Sequence, residues 1–245
     1  MNYKLTIQYD GTRYKGWQGQ HTTDLTIQGK IEDVLTKMTG CEIDLIGSGR
    51  TDAGVHACGQ VANFHWDGDK TEEEILSYVN QYLPEDIAVV SVEAVDERFH
   101  SRYQAVKKTY CYRVHTSAIP NVFERRYVYD HPQILDIGRM QQAASYLTGT
   151  HDFRSFCGNR KMKKSTVRTI YEIRFEQQEG ELRIYYTGNG FLQNMVRILT
   201  GTLLEVGTGK REVREMKEIL EGRNRGLAGP VAAAKGLVLI NVEYE

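Results

Sequence analysis

Apolar and polar residues alternate near the start of the chain. The alternation over residues 3–9 predicts a half-buried β-strand, which ends in the turn residues Asp10-Gly11. Apolar residues then recur at helical spacing over residues 27–38, and Gly40 follows where a helix would stop. The chain therefore opens with a strand, a turn and an amphipathic helix.

Four further elements complete the first half. Residues 41–46 and 61–66 read as short strands, and a Gly-rich turn precedes the second. Thr71 and Glu74 form a capping-box pattern, which predicts a helix to about Tyr82. Residues 87–95 read as another strand. The predicted order for the first half is β-α-β-β-α-β.

The second half has a similar order of elements. The pattern predicts a strand at 108–115, a helix near 140–147, a hairpin from 166–175 and 182–187, helices at 191–206 and 211–220, and a strand at 237–244. We expect an α+β protein with two similar halves and largely antiparallel sheets. The predicted domains are residues 1–104 and 105–245.

Composition narrows the class of protein. The chain has 245 residues, of which 40% are hydrophobic and 26% charged, as in an ordinary globular protein. No apolar run is long enough to span a bilayer, and the N-terminus lacks the apolar core of a signal peptide, so we expect a cytoplasmic protein. Four cysteines lie far apart and are expected to be reduced and buried. The pair His56 and Cys58 has no partner at ligand spacing, so we expect no metal site.

The net charge is −1, but charge is unevenly distributed. Acidic residues concentrate in 67–97. Basic residues concentrate in two runs, which are Arg154, Arg160, Lys161, Lys163, Lys164 and Arg168, and Arg98, Arg102, Lys107, Lys108 and Arg113. Such segregation is typical of a protein with one RNA-facing side. The alternative interpretation of either run is a solvated loop.

The segment 47–56 carries the candidate chemistry. Its glycines allow unusual backbone angles and the close approach of another chain, and it places Arg50 and Asp52 between two strands. A hairpin loop with a solvated Arg and Asp explains the composition equally well.

The motif GRTDAGVHA at 49–57 resembles the signature of the TruA family of tRNA pseudouridine synthases. Further motifs resemble that family in the same order along the chain, namely YDGTRYKGWQ at 9–18, TIQG at 26–29, FHSR at 99–102, KTYCYR at 108–113, GTHDF at 149–153, GFL and MVR at 190–197, and VGTGK at 206–210. The resemblance covers about residues 3–240. It implies a pseudouridine synthase fold, in which the two halves flank a central RNA-binding cleft.

The resemblance implies a role for five residues. Asp52 matches the catalytic aspartate, Tyr110 an aromatic residue that stacks on the target uracil, and Arg197 a basic residue that pairs with the aspartate. Arg50 matches an arginine that holds the target base out of its helix. Leu237 matches an apolar residue that packs near the uracil. Without the family pattern, Tyr110 and Leu237 read as packing residues and Arg197 as an arginine that reaches solvent.

The resemblance also implies the substrate, uridines 38, 39 and 40 of the tRNA anticodon stem-loop, and a homodimer without a metal or organic cofactor. The sequence departs from the family at Gln193-Asn194 and at 229–235, where a second proline is common. Both departures bear on substrate range rather than on the type of reaction. Two alternatives stay open, which are a non-catalytic RNA-binding protein or chaperone on this scaffold and an aspartate-dependent hydrolase.

Overall fold

Strands and helices follow one another in the order that the hydrophobic pattern predicts for most of the chain. The computed structural model describes residues 1–178 and 180–245. In that part of the chain the strands are β1 (Asn2–Tyr9), β2 (Ile46–Gly47), β3 (His56–His65), β4 (Ile87–Val95), β5 (Ala105–His115), β6 (Tyr129–Asp130), β7 (Gly149–Asp152), β8 (Val167–Gln178), β9 (Glu181–Gly188) and β10 (Leu237–Tyr244). The α-helices are α1 (Ile27–Thr39), α2 (Glu72–Tyr82), α3 (Ile137–Ser145), α4 (Met195–Gly207) and α5 (Glu215–Gly222).

These elements form two compact units. Unit 1 consists of Met1–Val106 and Val238–Glu245, and unit 2 of Lys107–Leu237. The sequence places the division between residues 104 and 105 and assigns residues 238–245 to the second half. The difference arises because β10 pairs with β3 in parallel, with Val238 opposite His56 and Leu239 opposite Ala57.

Unit 1 is a sheet with strand order β4-β1-β3-β10, and β2 also pairs with β3. The pairs β1–β3, β1–β4 and β2–β3 are antiparallel. Side chains that alternate along β1, including Leu5 and Ile7, are fully buried. The helices α1 and α2 also bury apolar side chains, among them Ile31 and Val79, so burial of apolar surface stabilises this half.

The helix ends of unit 1 confirm the capping predictions. The Thr71 side chain accepts from the Glu74 N–H, and the Glu74 carboxylate accepts from the Thr71 N–H, so both halves of the capping box are present. Gly40 ends α1 with a φ of 72°, in the left-handed region that glycine adopts without strain.

The strand predicted at Cys41–Ile46 is wrong except for its last residue. The Leu45 N–H donates to the Glu32 carboxylate at 3.0 Å, and the Ile43 N–H donates to the Thr36 hydroxyl at 3.4 Å. Both acceptors are side chains of α1. Side chains of α1 therefore satisfy two backbone N–H groups of this segment that a neighbouring strand would otherwise bond.

Unit 2 has a sheet of order β5-β9-β8-β7, with β6 on β5. Its long pairs are antiparallel, which confirms the predicted α+β class with largely antiparallel sheets. The predicted hairpin is β8 and β9, and residue 179 lies outside the described residues. The short strands β6 and β7 have no counterpart in the sequence prediction.

Helix α4 is buried on nearly all sides. Arg197 and Glu205 are its two residues that are not fully buried. A helix that is apolar all round belongs in a core, so the position of Arg197 in such a helix calls for a specific role. The helix begins at Met195 rather than near residue 191, because Asn194 adopts a left-handed φ of 58° and interrupts the helical path. Likewise α5 begins at Glu215, later than the predicted residue 211.

Candidate active site

Asp52 lies in the loop of residues 48–55, which joins β2 to β3 in unit 1. Its neighbour Thr51 is buried, and the Thr51 hydroxyl lies 2.7 Å from the hydroxyl of Tyr9 on β1. The Thr51 carbonyl accepts from the Trp17 N–H at 3.1 Å. Val55 is buried as well, and its N–H donates to the Asp52 carbonyl at 3.1 Å. Two buried residues thus flank the half-exposed Asp52 and fix the backbone that carries it.

Two glycines of the N-terminal segment let that segment pack directly on the loop. A Cβ at Gly11 would lie 2.0 Å from the Val55 carbonyl oxygen, so only glycine fits. Gly16 has a φ of 107°, and a Cβ there would lie 2.8 Å from the Thr51 carbonyl oxygen. The motifs at 9–18 and 49–57 are therefore one structural unit.

Buried polar side chains support the other end of the loop. The Ser48 hydroxyl donates to the Gln60 amide oxygen at 2.7 Å, and the Gln60 amide nitrogen donates to the Gly49 carbonyl at 3.2 Å. Ser48 and Gln60 are both buried. Arg50, next to Gly49, is exposed. The network holds the backbone that leads to Arg50 and leaves its side chain in solvent.

His56, the last residue of the loop motif, has a structural contact. Its Nδ1 accepts a hydrogen bond from the Gly11 N–H at 3.1 Å.

Across the described residues, no three His, Cys, Asp or Glu side chains are grouped so as to hold a metal ion. Cys58 and Cys41 are exposed, whereas the sequence predicts burial, and Cys111 and Cys157 are buried. Burial raises the pKa of Cys111 to about 11, which keeps it a thiol at neutral pH.

Arg197 occupies the first turn of α4 in unit 2, where two short hydrogen bonds orient its side chain. Its Nε donates to the Ala232 carbonyl at 2.8 Å, and its Nη1 donates to the Asn194 side-chain oxygen at 3.0 Å. The Ala232 N–H in turn donates to the Arg197 carbonyl at 3.1 Å. The segment that precedes β10 and the start of α4 therefore fix this guanidinium together.

Asn194 contacts the Arg197 guanidinium, a contact that the sequence does not predict. It stands just before the helix, yet its side chain makes no capping bond to the first helical N–H groups, since it accepts from Arg197 instead. A Cβ at Gly158 would lie 2.6 Å from the Asn194 amide nitrogen, so a glycine leaves room for it. The only sequence signal was the departure Gln193-Asn194, together with the tolerance of Asn for positive φ.

Tyr110 lies on β5, half-buried, opposite Tyr186 of β9. Its ring meets the ring of Phe191 edge to face, with centroids 5.3 Å apart and planes at 87°. Such pairs are favourable beyond their buried area. Phe191 thus holds the Tyr110 ring from one side.

Leu237 ends unit 2 and is buried. The residue before it, Gly236, packs on Tyr112, since a Cβ there would lie 2.8 Å from that ring. The Tyr112 hydroxyl donates to the Ala233 carbonyl at 2.8 Å. Unit 2 therefore gathers β5, the start of α4 and the segment 232–237 around Arg197.

The basic residues 154–168 are mostly exposed. Among the described residues, no carboxylate pairs with the exposed cations of this run, which are Arg154, Arg160, Lys161, Lys163 and Lys164. Arg168 differs, because its Nη1 donates to the carbonyls of Ser165 at 3.1 Å and Val167 at 2.6 Å. Burial lowers the pKa of Arg168 from its usual value. In the other basic run, Arg102 is exposed and Lys108 is half-buried opposite Gly188.

These features define a class of protein, and comparisons with known proteins agree on it. A family model described as tRNA pseudouridine synthase matches residues 5–104 and 143–245. This chain belongs to the tRNA pseudouridine synthase family, so it is an enzyme of the isomerase class.

The relatives match over nearly their whole length. The chain is 47% identical over 243 residues to a tRNA pseudouridine synthase A 2 of Bacillus cereus, covering 99% of each chain. It is equally identical, with the same coverage, to tRNA pseudouridine synthase A of a Bacillus species and to tRNA pseudouridine synthase A 1 of Clostridium tetani. A chain in a Cbf5-Nop10-Gar1 complex aligns over 97% of this chain and 48% of its own, at 11% identity and a TM-score of 0.39, which is too remote to carry an argument.

Proposed function

We propose that this protein converts uridine to pseudouridine at positions 38, 39 and 40 of the tRNA anticodon stem-loop, with Asp52 as the catalytic nucleophile. The observation that carries the proposal is the loop that holds Asp52, where buried neighbours fix the backbone and leave the carboxylate half-exposed. A reacting group must be held in place while its substrate moves. The names of the relatives support tRNA as the substrate.

The reaction exchanges one bond for another within a single nucleotide. The C1′–N1 bond of uridine breaks, the free uracil turns, a C1′–C5 bond forms, the hydrogen on C5 leaves as a proton, and N1 gains a proton. No oxidant or reductant is consumed. A carboxylate beside the ribose can attack C1′ of the sugar, attack C6 of the base, or stabilise charge, and all three fit Asp52.

Three residues of unit 2 act on the catalytic carboxylate or on the target base in this proposal. Arg197 supplies a positive charge that acts together with Asp52 in the reaction. The fixed guanidinium supports that role, because Ala232 and Asn194 restrict its freedom in advance. Tyr110 stacks on the uracil and allows the detached ring to rotate. The edge-to-face contact with Phe191 fixes the orientation of the Tyr110 ring. Leu237 packs against the other face of the uracil.

The enzyme must bind the RNA firmly while the target base leaves the stacked helix, because unstacking a base costs a few kcal/mol. Arg50 holds the base out of the helix, and the exposed position of its side chain supports that role. The cations of the run 154–168, with Arg102 and Lys108, bind phosphates, and phosphate contacts offset the cost. The enzyme acts as a cytoplasmic homodimer without a cofactor.

Tritium release from tRNA labelled at C5 of uridine tests the chemistry directly, since forming the new bond expels that hydrogen. The wild type is expected to release tritium. Asp52→Asn is expected to bind tRNA in a gel shift but to release tritium at least about a thousandfold more slowly, because it loses the charge that acts in the transition state. Asp69→Asn, at an exposed aspartate of unit 1, is the matched control.

Turnover by Asp52→Asn near the wild-type rate would remove Asp52 from the mechanism. Gel-shift binding without any release by the wild type would indicate an RNA-binding protein instead. Transcripts in which uridines 38, 39 and 40 are changed to cytidine one at a time identify the sites, and sedimentation tests the dimer.

A further inference from the structure

The segment after β4 presents a pair of aromatic rings to solvent. Tyr103 is 79% exposed, and its ring centroid lies 4.2 Å from that of His100, with planes 35° apart. The His100 ring is fixed in turn, because its Nδ1 accepts from the N–H groups of Arg102 at 3.2 Å and Tyr103 at 3.4 Å. We call the pair of His100 and Tyr103 the ring platform.

Buried hydrogen bonds hold the turn that carries the ring platform. Ser101, which follows His100 in this turn, is fully buried. Its N–H donates to the Asn63 side chain at 2.9 Å, its hydroxyl donates to the Ile46 carbonyl, and its carbonyl accepts from the Tyr244 hydroxyl at 2.6 Å. Three strands of unit 1 thus anchor one turn residue. An exposed aromatic ring on so rigid a support loses little freedom when it binds a partner.

A cleft of about 210 Å³ adjoins the ring platform. Both rings line it, and so do Arg50 and Gly49 of the Asp52 loop, Arg102, and Asp44. The guanidinium groups of Arg50 and Arg102 form no hydrogen bond or ion pair with any of the described residues. Two guanidinium groups and one carboxylate leave a net positive charge beside an open ring. Guanidinium forks match phosphate oxygens, and any nucleobase can stack on an exposed ring.

We propose that the ring platform and this cleft bind one unpaired nucleotide of the substrate RNA, next in the strand to the target uridine. Its base stacks on Tyr103, and its phosphate lies between Arg102 and Arg50. Arg50 is two residues from Asp52 in the same loop, which places this nucleotide beside the one that reacts. The proposal rests on the proposed function, since it assigns a second contact on the same RNA.

The first test separates binding from chemistry. Single-turnover tritium release, measured against enzyme concentration, gives a half-saturating concentration and a maximal rate. Tyr103→Ala should raise the half-saturating concentration about tenfold, as loss of one stacked base does, with a maximal rate within about twofold of wild type. Tyr103→Phe should behave as wild type. Tyr82→Ala is the matched control, because Tyr82 is 56% exposed and pairs with Tyr78 at 4.6 Å.

The second test locates the base. A series of tRNA transcripts carries one abasic nucleotide at each position around the target, and affinity is measured by fluorescence anisotropy. One position should weaken binding to wild type about tenfold and to Tyr103→Ala hardly at all, since the two changes remove the same contact. Equal losses for both proteins at every position would overturn the proposal, and so would unchanged affinity of Tyr103→Ala.

The arginines are tested through salt. Arg102→Gln should reduce the slope of log affinity against log salt by about one, as loss of one phosphate contact does. Lys37→Gln removes an exposed cation on α1 and should leave the slope unchanged. An unchanged slope for Arg102→Gln would overturn its role. Absence of tritium release by the wild type would refute the proposed function alone, because the anisotropy series reads stacking without turnover.

Discussion

The contacts of single residues explain why the motifs of this chain contain the residues they do. Gly11 and Gly16 are present because the backbone of the Asp52 loop passes where their side chains would be. Asn194 is present because the guanidinium of Arg197 needs an acceptor at the start of a helix that is otherwise apolar. Neither reason follows from composition, because both depend on a neighbour that is distant in the sequence or on an unusual backbone angle.

Substitution of Asn194 separates the hydrogen bond from the backbone angle. Asn194→Gly removes the bond to Arg197 but tolerates a φ of 58°, whereas Asn194→Ala removes the bond and strains the backbone. Both should lower kcat/KM for tRNA about tenfold, as expected for the loss of a hydrogen bond to a charged group. Only Asn194→Ala should also lower the free energy of unfolding, by about 1 kcal/mol.

Tritium release gives the rate constants of these variants, and urea denaturation gives their stabilities. Arg197→Lys serves as the companion variant, since it keeps the charge but cannot make both bonds. Wild-type kcat/KM in Asn194→Gly would show that the bond to Asn194 does not position Arg197 for the reaction.

Elements were predictable where their own residues determine them. The strand at 87–95 and the helix from Thr71 to about Tyr82 agree with β4 and α2, because alternation and a capping box are local signals. The strand predicted at 41–46 was wrong, because side chains of α1 accept hydrogen bonds from the backbone N–H groups of Ile43 and Leu45. The predicted start of α4 was wrong, because the left-handed backbone of Asn194 does not change the spacing of apolar residues from which the helix was predicted. Of the candidate site, the resemblance supplied the residues, and the structure supplied their supports.

An ion-pair cluster links β5 to β9. The Glu181 carboxylate accepts from Arg113 at 2.8 and 2.9 Å and from Arg183 at 2.6 Å. Burial alone would raise the pKa of Glu181, but the hydrogen bonds from the two arginines outweigh it, so the pKa is lowered. The ionised form is thus favoured in the folded state.

This cluster predicts a stability that depends on pH. A carboxyl whose folded pKa is lowered stabilises the fold above its unfolded pKa, and that stability is lost as pH falls through the folded pKa. Glu181→Gln should lower the free energy of unfolding by about 1–3 kcal/mol at pH 7. The difference from wild type should shrink as pH falls below about 4.

Urea denaturation at a series of pH values measures this difference. Glu172→Gln, at an exposed residue of the neighbouring strand β8, is the control and should change stability little at any pH. A difference for Glu181→Gln that stays constant from pH 7 to pH 3 would contradict the assignment of the lowered pKa to this carboxyl.

At the scale of the whole molecule, charge is sorted by segment although the net charge is only −1. The exposed cations of the run 154–164 have no acidic partner among the described residues, whereas Arg113 and Arg183 are paired. Unpaired cations are available to phosphates. No helix in the described residues is long and apolar enough to cross a membrane.

Affinity for tRNA should therefore fall steeply with salt, and the run should account for part of the slope. Replacing Arg160, Lys161, Lys163 and Lys164 by Gln should weaken binding at 0.1 M salt and reduce the slope of log affinity against log salt by roughly two to four. Fluorescence anisotropy across a salt series measures it. The same treatment of four cations outside both basic runs, Lys37, Lys70, Arg214 and Lys217, is the control. Equal slopes for the two variants would show that the run is a solvated loop.

Unit 1 is discontinuous in sequence, since β10 joins β3 only after residues 107–237 have intervened. On the ribosome, translation thus reaches the Asp52 loop early and supplies the neighbouring strand late. In the interval the nascent chain exposes the part of β3 around His56 and Ala57 that β10 later pairs with, and unpaired strand edges of this kind are prone to aggregation. The half that carries the proposed nucleophile is therefore completed only when residues 238–245 have left the exit tunnel.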